Sequence, residues 1–261
     1  MQQILFSLAV MAFVACNEAS SESASPPAQV LRAPAPPQEG IAIVNGNKAE
    51  WAEFPSTCSF IATDGGRCTC VLLGPQVMLT AEHCVARPPG ENTGSGSIRV
   101  FNQPGTRHGD CLVDSALDLA ICEVSDPVED ILFERLNQEP LNASGSPLLL
   151  TGFGCTEQGI GAGQLRKRLT TFTAFVGPAP ETLPLGEGAQ LCGGDSGGPA
   201  YILLSNDHNG PRRVAAINFQ NFDVTNIFTP LATEFISTWA STHQGISICG
   251  FNTSDAHICR K

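Results

Sequence analysis

"QLCGGDSGGP", residues 190–199, sets four glycines around one Asp-Ser pair and stops at a proline. A serine hydroxyl is a poor nucleophile at neutral pH. It needs a base to take its proton, a third group to orient that base, and N–H donors aimed at the oxyanion that develops on the carbonyl it attacks. Glycines suit the last requirement, because backbone without a Cβ can approach a substrate closely. Ser196 is therefore a candidate nucleophile; a plain flexible turn is the alternative.

The chain around this stretch has 261 residues, 42% of them hydrophobic and 15% charged. That is enough for a packed core, as one larger domain or two small lobes. A net charge of −11 argues against a nucleic-acid partner. Short apolar runs recur between turn signals: "VLLG" (71–74), "VMLTA" (77–81), "PLLLTGFG" (147–154) and "RVAAINF" (213–219). With 26 glycines and 19 prolines, the pattern predicts an all-β barrel or sandwich. One helix is expected, in "TPLATEFISTWA" (229–240). Thr229 would be its N-cap and Pro230 would sit in the first turn, with Leu231, Phe235 and Trp239 on one face.

Eleven cysteines favour a disulfide framework in an oxidising compartment, and no paired Cys-x2-Cys clusters suggest zinc. Neither a metal nor a cofactor is expected. Ten cysteines lie in the body of the chain, and the odd one is Cys16. It follows "ILFSLAVMAFVA" (4–15), an apolar run too short to span a bilayer but suited to a signal peptide. Residues 1–16 are thus a signal peptide. Ala15-Cys16 also resembles the lipobox of bacterial lipoproteins, which makes Cys16 a lipidation candidate. Phe13 and the uncharged leader "MQQ" depart from that pattern, so a simple cleaved signal stands beside it. Either way the protein is extracytoplasmic, secreted or anchored by lipid to a bacterial membrane. Residues 17–42 begin with a Ser/Ala/Pro-rich stretch that cannot bury a core and reads as a disordered tether.

Two further stretches stand upstream of Ser196: "LTAEHC" (79–84) and "LDLAI" (117–121). With "GDSGGP" they resemble the trypsin/chymotrypsin-like serine proteases, which carry "LTAAHC", "DIAL" and "GDSGGP" in this order. "IVNG" (43–46), "EFP" (53–55) and "TGFG" (151–154) extend the resemblance from about Ile43 to Trp239. It implies two packed antiparallel β-barrels of the chymotrypsin type with a C-terminal helix, in a domain spanning 43–240. His83 would be general base and then acid, Asp118 its orienting partner and Ser196 the nucleophile. The N–H groups of Gly194 and Ser196 would form the oxyanion hole. Glu82 departs from the small residue usual before the histidine. Asp195 would pair with the α-amine of Ile43 once an activating protease cuts after Ala42. The family usually has Arg or Lys before that cut. Residues 17–42 would then be tether and propeptide together.

The resemblance also suggests disulfide partners. Cys68 and Cys84 match the family's His-loop bridge. Proximity in the family fold adds Cys58 with Cys70, Cys111 with Cys122, Cys155 with Cys192, and Cys249 with Cys259 inside a C-terminal extension, 241–261. At the specificity pocket, Gln190 stands where trypsin-type relatives carry Asp, followed by Leu191. Asn218, Phe219 and Gln220 match the pocket wall, with Asn226 at a second glycine position. The pocket is expected to be narrow and uncharged, taking small or medium neutral residues of protein or peptide substrates. A monomer is expected. The competing reading is a catalytically inactive protease-like binding module, although no triad position is replaced. A hydrolase of another fold would want Gly-x-Ser-x-Gly and the order Ser…Asp…His, whereas the order here is His…Asp…Ser.

Overall fold

The computed structural model describes residues 43, 46–139, 145–155, 164–176, 179–182, 191–205, 207, 210–222, 225–231 and 233–261. The N-terminal segment with Cys16, and Gln190, lie outside these residues. Among the described residues no helix is long and apolar enough to cross a membrane.

The first half is a closed six-stranded barrel. Its strands are β2 (Thr57–Ala62), β3 (Arg67–Gly74), β4 (Val77–Thr80), β5 (Thr93–Val100), β6 (Arg107–Asp114) and β7 (Leu119–Val124), ordered β2-β3-β4-β7-β6-β5. All pairs are antiparallel, joined as hairpins or short returns. The second half contains β8 (Pro147–Gly152), β9 (Arg166–Val176), β10 (Ala179–Thr182), β11 (Pro199–Leu203), β12 (Arg212–Phe222) and β13 (Thr225–Pro230), with the short β1 (Asn47–Lys48) added along β9. The order β9-β10-β13-β12-β11-β8 returns on itself because β8 also pairs with β9. The all-β, double-barrel architecture is therefore present. The continuous apolar runs of β3 and β4 are buried on both faces, where the barrel interior meets the second half.

Helix α1 covers Thr233–Thr242, starting later than the sequence suggests. Thr229 and Pro230 belong to β13, where they lie opposite Ile217 and Ala216 of β12. Cross-strand pairing overrides the local cap signal there, and Pro230 at the strand's end gives up no interior ladder bond. Ile236 and Trp239 are the buried face of the helix, with Phe235 partly buried beside them.

Four disulfides are formed among the described residues: Cys58–Cys70, Cys68–Cys84, Cys111–Cys122 and Cys249–Cys259. Two of them join directly opposed strand residues, Cys58 with Cys70 and Cys111 with Cys122. The expected Cys155–Cys192 bridge is not made, and both are free thiols. The backbone amide of Cys155 meets Cys192, donating to Sγ at 2.8 Å. The Cys155 thiol turns to the Gly193 carbonyl at 3.7 Å.

The C-terminal extension lies against the segment that follows β7. Phe133 and Arg260 exchange backbone bonds with residues of the other segment, and Leu136 N–H donates to the Cys249 carbonyl at 2.9 Å. Behind this seam sits a buried ionic cluster. Glu134 and Arg212 have fully buried side chains. Glu134 Oε1 accepts from Arg212 Nε at 3.1 Å and Nη2 at 2.6 Å, and Arg260 Nε approaches it at 3.3 Å. The Arg212 guanidinium also lies over the rings of Phe54 and Tyr201, 4.0 and 4.7 Å from their centroids.

Candidate active site

His83 sits in a single 3-10 turn, Glu82–Cys84, directly after β4. The Cys68–Cys84 bridge ties that turn to β3. Asp118 is the residue before β7 and has φ +52, a left-handed conformation that Asp tolerates better than most side chains. The conformation points its carboxylate back across the barrel rim. Asp118 Oδ1 accepts from the His83 main-chain N–H at 2.9 Å, and His83 Nδ1 lies 3.0 and 2.9 Å from Oδ1 and Oδ2. One carboxylate thus fixes both the backbone and the ring of His83. Glu82 does not disturb this pair. It forms an ion pair with Arg87 and accepts from Ser115 Oγ at 3.3 Å, so its charge is already engaged.

Ser196 is placed from both halves of the molecule. Its carbonyl accepts from Thr69 N–H of β3 at 2.9 Å. Gly197, at φ +80, packs so tightly that a Cβ would overlap Thr80 Oγ1 and the Thr69 carbonyl. Thr69 Oγ1 donates to the Gly194 carbonyl at 2.7 Å and accepts from Phe153 N–H at 3.0 Å. Sequence reasoning did not single out Thr69. Its only signal was its place between Cys68 and Cys70, on the alternate face of β3. The N–H groups of Gly194 and Ser196 have no partner among the described residues. Ser196 Oγ donates to the Phe219 carbonyl at 3.1 Å rather than to His83, and the Phe219 ring lies 5.8 Å from the imidazole.

Asp195 is fully buried. Its carboxylate accepts from Gly154 N–H at 2.8 Å, Cys192 N–H at 3.1 Å, Cys192 Sγ at 3.4 Å and Ile43 N–H at 3.2 Å. Ile43 is itself buried and has φ +46. Here Ile43 is still joined to Ala42, so it offers an amide and no charge. Burial pushes the Asp195 carboxyl up from 3.8 to about 6, against the pull of these hydrogen bonds. Burial, followed by the Asp195 charge, pushes the Cys192 thiol up as well. A carboxyl raised on folding contributes stability fully only below its unfolded pKa and loses that contribution as pH rises through its folded one. In the uncut chain, wild type should therefore lose about 3 kcal/mol relative to Asp195→Asn between pH 3 and pH 7. Denaturant melts of the two proteins across that range check it, and parallel curves would contradict it.

The pocket residues fall out unevenly. Leu191 is 2% exposed and packs with Ile43, Leu150, Ala200 and Ala216. Asn218 is fully buried and its amide turns inward. The amide nitrogen donates to the Thr151 and Asp195 carbonyls. The Phe219 ring lies beside the His83 imidazole. The side chains of Gln220 and Asn226, like the whole of Gln190, are outside the described part. On the other flank of His83, a cleft of about 740 Å³ is bordered by Asp64, Arg67, Arg87 and the Cys68–Cys84 bridge.

A histidine on a bridged turn after one strand of the first barrel, a carboxylate before another and a serine just before β11 of the second barrel define the chymotrypsin-type double-barrel class. The sequence model of the Trypsin family matches residues 43–225, and the chain belongs to that family. Among solved structures it is similar to the Rv3671c protease in an inactive form, with 18% identity and a TM-score of 0.52. The match covers 73% of this chain and 90% of that one, and at this identity it speaks to the fold. Comparison with the curated proteins finds no match.

Proposed function

We propose that this trypsin-like protease is an active serine endopeptidase in which Ser196 attacks the scissile carbonyl, His83 carries the proton and Asp118 orients His83. The observation that carries this reading is the grip of the Asp118 carboxylate on both the N–H and the ring Nδ1 of His83. With Nδ1–H donated to Asp118, Nε2 is left as the base. The N–H groups of Gly194 and Ser196, without partners among the described residues, would supply the oxyanion donors. Cleavage before Ile43 by an activating protease would place an ammonium where an amide now meets Asp195. The four disulfides support an extracytoplasmic location.

One observation favours a second reading, the inactive binding module: Ser196 Oγ is engaged by the Phe219 carbonyl. A substrate strand entering beside Phe219 must displace that bond before His83 can take the proton. A fluorophosphonate probe separates the readings. Chain beginning at Ile43 should be labelled at Ser196 and should cleave peptides, whereas an inert module would give neither.

By the family resemblance Gln190 would stand at the pocket floor and provide only a neutral dipole, so a substrate cation would be desolvated without a carboxylate opposite it. A peptide-library profile should show cleavage after Ala, Val or Thr and poor cleavage after Arg, Lys or Trp. Strong preference for Arg or Lys would overturn the pocket assignment.

A further inference from the structure

We infer that Asn218 is a positioning residue for the Ser196 oxyanion donor. This deepens the serine-peptidase reading and rests on it. Asn218 lies on β12 and meets the nucleophile loop three times and β8 once. Its N–H donates to the Gly198 carbonyl at 2.7 Å, and its carbonyl accepts from Gly197 N–H at 2.8 Å. Its side-chain Nδ2 donates to the Asp195 carbonyl at 3.2 Å and to the Thr151 carbonyl of β8 at 3.1 Å.

The contact to Asp195 matters most. The Asp195 carbonyl and the Ser196 N–H belong to one peptide unit, which is planar and trans, so the two groups point in opposite directions. Holding the carbonyl from inside the protein fixes where the N–H points outside. Gly198 N–H donates to the same carbonyl at 3.0 Å, so this oxygen is gripped from two sides. Donation to the carbonyl also polarises the peptide and makes its N–H a better donor. Thr151 anchors the other hydrogen of the amide, which links the peptide plane to the frame of the second barrel.

The amide's orientation follows from its neighbours. Both groups beside Nδ2 are carbonyl oxygens, which only the nitrogen end can satisfy. Oδ1 is buried and has no partner among the described residues. A side chain present only to fill space would not need an orphan acceptor, so the nitrogen end is the working end. The fit is close as well: a Cβ on Gly198 would lie 2.9 Å from Asn218 Nδ2, within the clash range.

The test compares wild type with Asn218→Ala and with Asn218→Ser, whose short hydroxyl cannot bridge both carbonyls. Two readouts are taken on chain beginning at Ile43. One is the split between kcat and KM. The other is the preference for a peptide ester over its thionoester, because sulfur is the weaker acceptor and discrimination depends on well-aimed donors. Loss of the grip should lower kcat about 10–100-fold, less than the loss of a whole donor, with KM changed less than about threefold. The preference for oxygen should shrink in step. Melting curves show which variants fold, and Asn218→Ser is read by the same rule if Asn218→Ala does not fold. Unchanged kcat, or a fall in kcat with the oxygen preference intact, would overturn the proposal. Fluorophosphonate labelling of wild type is run beside them, so failure of this role is distinguishable from failure of the serine-peptidase reading.

Discussion

Ser196→Ala should lower peptide turnover by about 10³–10⁶-fold while leaving the fold intact. The rate loss follows from removing the nucleophile; what remains would come from the donors at Gly194 and Ser196 and from binding. The structural cost should be small, because among the described residues the Ser196 hydroxyl makes one hydrogen bond, to the Phe219 carbonyl. A single neutral bond of this kind is worth about 1 kcal/mol. Turnover equal to wild type in this variant would remove the triad from the protein. The measurement is kcat/KM on a peptide substrate beside a melting curve, so that lost chemistry and lost folding are told apart.

The second large effect is on stability. Glu134→Ala should destabilise the protein by about 3–5 kcal/mol, since removing one partner of a buried pair strands the other. Here the stranded groups would be two: Arg212, fully buried, and Arg260, which approaches the same oxygen. For a body of this size such a loss lowers the melting midpoint by roughly 6–20 °C. Replacing Glu134 and Arg212 together by apolar residues of similar volume should cost less, because only Arg260, which keeps some exposure, then loses its carboxylate. A drop below about 1 kcal/mol in the single variant would mean that water reaches the cluster after the substitution.

The catalytic motifs could be read from the sequence because their chemistry constrains short stretches. A serine beside glycines, a histidine beside a bridged cysteine and an aspartate before an apolar strand each keep their signature locally. Alternating and continuous apolar runs gave the β class for the same reason. Features that depend on distant partners were not legible. The strand at Thr229 and Pro230 is decided by Ile217 and Ala216 across the ladder, and nothing near Pro230 records that. Asn218 reads as a pocket wall in one dimension, yet its amide finds carbonyls 23 and 67 residues away. The Glu134–Arg212 pair is separated by 78 residues and has no periodic mark. Cys155 and Cys192 illustrate a subtler limit. The sequence brought them to one neighbourhood, but whether two neighbouring thiols are joined depends on the geometry of both loops, which no short stretch records.

The left-handed backbone of Ile43 has a consequence for irreversibility. A β-branched side chain at φ +46 is a conformation L-residues avoid, costing roughly 1–2 kcal/mol. The φ torsion is defined by the carbonyl carbon of the preceding residue. Hydrolysis of the bond between Ala42 and Ile43 would therefore not relax that angle; it would abolish it. Rejoining the ends would have to recreate the crowded torsion and discharge the ammonium beside Asp195 in one act. The same cut would thus be a ratchet: the strain held while the chain is connected becomes a barrier against resealing once it is open.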